Sequence, residues 1–89
     1  MKIDYTVQVW RRGTQYIAHA MPLDVANPGD TPEGAWQAVD EAVRSFLDAA
    51  SEDGTFEEVL KEAGYRREGG YWQAPEWLGV EQRSCLAAA

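Results

Sequence analysis

The sequence predicts an α+β fold: a three- to four-stranded antiparallel sheet with one main helix packed on one face, in the order β-β-β-α-α-β. Three observations carry this. Ile3, Tyr5, Val7 and Val9 alternate with Asp4, Thr6 and Gln8, the period of a half-covered strand. Ala35, Val39, Ala42, Val43, Phe46, Leu47 and Ala50 recur at helical spacing, with Asp40, Glu41, Arg44 and Asp48 largely on the other side. Between the two patterns, residues 27–35 (Asn-Pro-Gly-Asp-Thr-Pro-Glu-Gly-Ala) read as the joint where extended chain ends and the helix begins.

Each residue of the joint has a local reason. Gly29 is expected to supply a positive φ for a sharp change of direction. Thr31 is a good N-cap, because its hydroxyl can accept from a free amide of the first turn. Pro32 then falls at N1, where a missing N–H costs nothing. Glu33 lies beside the positive end of the helix dipole, and Ala35 opens the apolar stripe. Asp30 is a rival cap, spaced for a capping box with Glu33.

Before the joint, Arg11-Arg12-Gly13-Thr14 forms a turn and Tyr16–Met21 a second strand, so the first two strands make an antiparallel hairpin. The faces of the second strand are Tyr16/Ala18/Ala20 and Ile17/His19/Met21, and the pattern does not decide which is covered. Pro22-Leu23-Asp24 turns the chain, leaving Val25-Ala26 for a short third strand. After the joint, the helix runs from Pro32 to about Ala50, with Asp53-Gly54 as its stop. Thr55 to Glu58 reads as a second capping box opening a short helix closed by Gly64. Tyr65-Arg66-Arg67 and Tyr71-Trp72-Gln73 flank Gly69-Gly70 as a further strand pair. Val80–Leu86 alternates weakly and is expected to be a last strand. The chain is thus a single domain, 1–89, with a core over about 3–67 and a strand-forming C-terminal extension over 68–89.

A chain of 89 residues buries a modest core, so self-association would help it. A sheet covered on one side leaves its other face or an edge open, with Tyr5, Trp10, Trp72 and Trp77 near it, and a homo-oligomer, most simply a dimer, is expected. The net charge of −7 repels phosphate backbones and argues against nucleic acid as direct ligand, while it suits a basic protein partner. Cys85 is the one cysteine, which excludes an intrachain disulfide and fits a reducing compartment. With no apolar leader and no membrane-length run, the expected location is cytoplasmic.

Motifs for catalysis, cofactors or metals are thin, and neither a cofactor nor a metal is expected. His19 sits on a strand without a nucleophile or an orienting group in sequence, so a half-covered strand histidine outweighs a catalytic one. Asp24 and Asp30 flank the joint, and turn and capping roles explain them better than a shared metal. Four tryptophans are many for this length. They complete the core, or some of them anchor a protein interface, for which Trp36, Trp72 and Trp77 are the candidates.

The order of features resembles the HicB-like antitoxin family. The likeness rests on Tyr5-Thr6-Val7, Gln15-Tyr16-Ile17-Ala18, Leu23-Asp24-Val25 and Gly29-Asp30-Thr31-Pro32-Glu33-Gly34-Ala35, against that family's first strand, G-Y-x-A strand, P-x-L turn and G-D-T-x-E-E-A helix start. Gln15 stands for the family's glycine and Gly34 for its second glutamate. Residues 54–60 and 62–65 resemble a longer-helix branch, so the likeness covers about 3–65. It implies a partial ribonuclease H-like fold and a small basic toxin partner of the HicA kind, an mRNA-cleaving ribonuclease that the antitoxin blocks. Residues 66–89 lack the helix-turn-helix or ribbon-helix-helix segment that many members use on DNA. The alternative is a solitary HicB-like module whose only partner is itself.

Overall fold

The computed structural model describes residues 1–88. Strands β1 (Thr6–Arg12), β2 (Gln15–Met21) and β3 (Val25–Gly29) form one antiparallel sheet in that order. Helix α1 (Pro32–Asp53) crosses it, followed by α2 (Phe56–Glu62) and a separate hairpin of β4 (Arg66–Glu68) and β5 (Tyr71–Gln73). This is the predicted α+β architecture. The late strand pair closes on itself instead of extending the main sheet.

Pairing Val7 with Ala20 and Val9 with Ala18 places β1's valines on the same side as β2's alanines. That side is the covered one: Ala18 and Ala20 are fully buried beneath α1, with Val7, Val9, Tyr16 and Val25 around them. The choice left open by alternation is thereby made by size. Alanines let the helix lie close to the strand, and Val39, Ala35 and Val43 fill the space between. Leu60 of α2, Tyr65 and Trp72 complete the core from the other end.

The joint departs from its expected mechanism. Gly29 does not adopt a positive φ. Glycine is needed there because a Cβ would lie 2.4 Å from the Ala35 amide nitrogen and 2.7 Å from the Gly34 carbonyl carbon. The first turn of α1 rests directly on the end of β3. Thr31 caps as expected, its Oγ1 accepting from the Gly34 N–H at 2.9 Å, and Pro32 stands in the first turn. Asp30 is exposed and does not displace Thr31 as the cap.

Other expectations are corrected by packing. β1 begins at Thr6, so Ile3 and Tyr5 reach the core from the segment ahead of it. β3 runs five residues, including Pro28, which an edge strand tolerates because one row of its amides has no strand to bond. α1 extends to Asp53, where Gly54 takes the left-handed conformation and the Thr55 N–H donates to the Ala50 carbonyl. Thr55 thus closes α1. The second capping box does not form, since Thr55 makes no side-chain cap and its hydroxyl reaches back to Ala50. Phe46 lies at the exposed margin of the stripe. Residues 74–88 form no strand. Apart from the partly covered Ala74 they are exposed, so the expected last strand at Val80–Leu86 is absent for want of a neighbour to pair with.

Candidate protein-interaction surfaces

Each tryptophan meets a different fate. Trp72 is buried at 4% exposure, with the Arg67 guanidinium 5.7 Å above its ring and Arg67 held in turn by Glu57. It completes the core and is withdrawn as an interface anchor. The hairpin turn at Gly69-Gly70 folds the short strands so that Trp72, alone of the three residues of β5, points inward. Trp36 remains 48% exposed on α1. Asp40 follows it by one turn and therefore shares its side of the helix. Trp77 is 41% exposed in the segment after β5, and Trp10 is 45% exposed on β1. Trp10, noted in the sequence only in connection with self-association, belongs with the surface aromatics. Its placement on the even-numbered side of β1, opposite Val7 and Val9, was the available signal.

Charge divides the molecule more sharply than the tryptophans do. From Glu33 to Glu62 there are nine acidic residues against Arg44 and Lys61, a balance of −7 that equals the charge of the whole chain. The remaining residues are neutral in sum. Helices α1 and α2 therefore form an acidic layer, in which Asp40, Glu41, Asp48, Glu52 and Asp53 are all exposed. The joint residues Gly29, Asp30, Thr31, Glu33 and Ala35 lead into the start of this layer.

The other side of the sheet is open. Trp10 pairs with Ile17, and Ile17 with Pro28, giving one cross-strand row; Gln8, His19 and Ala26 give the next. His19 stands edge-on to the Trp10 ring, with centroids 6.2 Å apart, and its Nε2 lies 2.6 Å from Asp24 Oδ1. Asp24 reaches it from a left-handed backbone conformation, φ 60°, which aspartate tolerates in turns. A histidine–carboxylate pair orients an imidazole, but their hydrogen bonds reach no serine, threonine or cysteine that would serve as nucleophile. Asp30 is not in this pair, and among the described residues no group of three or more His, Cys, Asp or Glu is placed to hold a metal. No helix among them is long and apolar enough to cross a membrane.

Two tyrosines tie the N-terminal segment to the layers. Tyr5 donates to Asp40 Oδ1 at 2.6 Å, and Tyr65 donates to the Asp4 carbonyl. Burial pushes both phenols up to about 12, helped at Tyr5 by the Asp40 hydrogen bond and charge and at Tyr65 by the Asp4 charge. A phenol raised from 10 holds its proton more tightly when folded. Its stabilisation is complete below pH 10 and is lost as pH rises from 10 through 12. Urea denaturation at pH 9 and pH 11.5 should therefore show a fall in stability, and Tyr5→Phe/Tyr65→Phe should shrink that fall while costing about 1 kcal/mol per lost hydrogen bond at pH 7. An equal alkaline loss in the double variant would refute the assignment.

No family model matches this chain, and no curated protein or solved structure matches it significantly. The surfaces are accordingly read from their own chemistry.

Proposed function

We propose that this chain is a non-catalytic, antitoxin-type inhibitor that binds a small basic toxin of the HicA kind and covers the surface on which it holds RNA. The observation that carries the reading is the confinement of the entire −7 charge to the helical layer. An RNA-cleaving protein must present cations to phosphate, and an acidic layer competes for them and accelerates encounter. Trp36, exposed beside Asp40, is the apolar anchor for the contact once formed. The motif order from Tyr5 to Ala35, which resembles HicB-like antitoxins, supports the same partner.

The test is co-expression with the adjacent reading frame, if that frame encodes a basic protein of small size. Rescue from growth arrest, together with a complex on gel filtration, is the expected outcome. A toxic neighbour that is neither bound nor neutralised would sink the proposal. Within a complex, Glu41→Lys/Asp48→Lys should slow association about tenfold at low salt and flatten its salt dependence, with little change in dissociation. Asp40 is left intact there because it holds Tyr5. Trp36→Ala should instead speed dissociation. Association rates unchanged by the charge reversals would place the contact away from this layer. A solitary, self-associating module is the second reading. The exposed apolar residues after β5 favour it, and it becomes the better account where no such neighbour exists.

A further inference from the structure

The segment after β5 carries apolar residues that its own chain leaves uncovered. Leu78 is 89% exposed, Val80 and Leu86 are likewise bare, and Trp77 is half-covered. Laid out as an extended strand, in which alternate residues share a side, the segment would present Leu78, Val80 and Leu86 on one side, together with Gln82 and Ser84. Glu81 and Arg83, which form an ion pair at 2.7 Å, would lie on the opposite side. The segment is thus an arm that, when extended, carries its large apolar residues, Trp77 apart, on one side. It departs from the body at Pro75–Gly79, in a hollow shared with Met21 and Pro22. Met21 belongs to the open side of β2, so the arm begins at the margin of the open sheet face. Residues 75–88 are all exposed, and the radius of gyration, 15.3 Å, exceeds the about 12 Å of a compact chain of this length.

The open face lacks what the arm could supply. Trp10, Ile17, Met21 and Pro28 line it, and the portions of the chain outside the acidic layer are neutral in sum. A second copy approaching through the helices would meet a like charge of −7, whereas one approaching through the sheet meets no such barrier. Length fits as well. Eight extended residues, 79–86, span about 26 Å, close to the 23 Å of a seven-residue strand.

We propose that the arm of one copy, residues 77–86, lies across the open sheet face of a second copy, and that reciprocal exchange gives a two-fold dimer. Leu78, Val80 and Leu86 pack on Trp10, Ile17 and Met21 of the other chain, while Glu81 and Arg83 stay in water. Each arm leaves its own body at the edge of the face that receives the other arm, so one symmetry axis satisfies both contacts. This arrangement does not depend on a toxin partner, because it uses the side opposite the acidic layer.

The full-length chain tests it. Sedimentation equilibrium should show a dimer of 9.9 kDa chains at tens of micromolar. Leu78→Ser/Val80→Ser on the arm and Trp10→Ala/Ile17→Thr on the face should each weaken dimerisation at least tenfold. The arm variant should keep the thermal transition of the body at low concentration. Mixed together, the two variants should form heterodimers by native mass spectrometry more readily than either forms homodimers, because one arm–face contact is intact. Three results would overturn the proposal: a monomeric parent at 100 micromolar, an arm variant that dimerises as tightly as the parent, or a mixture no better associated than its components. Toxin rescue by the arm variant reports separately on the acidic layer, so failure of one idea leaves the other measurable.

Discussion

Gly29→Ala is expected to be among the most damaging single-methyl changes in the molecule. The added carbon would fall 2.4 Å from the Ala35 nitrogen and 2.8 Å from its Cα. These are backbone atoms of the first turn of α1, which no rotamer change can move aside. Overpacking of this kind costs about 3 kcal/mol at the upper end of its usual range. For a domain of this size each kcal/mol lowers the melting temperature by about 4–8 °C, so a fall well above 10 °C is expected. Two alanine substitutions separate the cause. Gly70→Ala meets nothing within 4 Å and has no positive φ, so it should be nearly neutral. Gly13→Ala also meets nothing but sits at φ 65°, and should cost about 1–2 kcal/mol from backbone strain alone. A Gly29→Ala protein that melts with the parent would show that α1 does not rest on β3 as described.

Replacement of Trp72 should be comparably severe and should part company with Trp36. Trp72 is buried between α2, the β4–β5 hairpin and the rest of the core, beneath Arg67. Trp72→Ala therefore opens a cavity and is expected to cost about 3–5 kcal/mol, a large share of a small domain's stability. Trp36→Ala removes a half-exposed ring and should change stability by under about 1 kcal/mol, while weakening whatever complex the acidic layer forms. Chemical denaturation of both variants, read by far-ultraviolet circular dichroism, checks this. Equal effects of the two substitutions would mean that the C-terminal hairpin does not join the core.

Local features of this chain were open to reading without coordinates. The alternation from Tyr5 to Val9, the stripe from Ala35 to Ala50, the Thr31 cap with Pro32 behind it, and the Gly54 stop all depend on residues a few places apart. Their chemistry acts over the same few places. The hairpin around Gly69-Gly70 was legible for the same reason. What required the tertiary structure depends on distant partners. Alternation in β2 offers two faces, and only the approach of α1 selects Tyr16/Ala18/Ala20. Gly29 looks like a turn residue in sequence, yet its need is the contact with Ala35. Thr55 and Glu58 carry the spelling of a capping box, but the carbonyls at the end of α1 claim Thr55 first. Trp72 and Trp77 are five residues apart and alike in sequence. One is buried because it joins the core cluster that holds Leu60 and Tyr65, with Arg67 over its ring, and the other is left out because the chain beyond Gln73 has no strand to pair with. The net charge was visible at once, while its confinement to one layer became a surface only when 33–62 folded into two helices. Periodicity specifies which residues share a face; the close approach of distant segments specifies which faces meet.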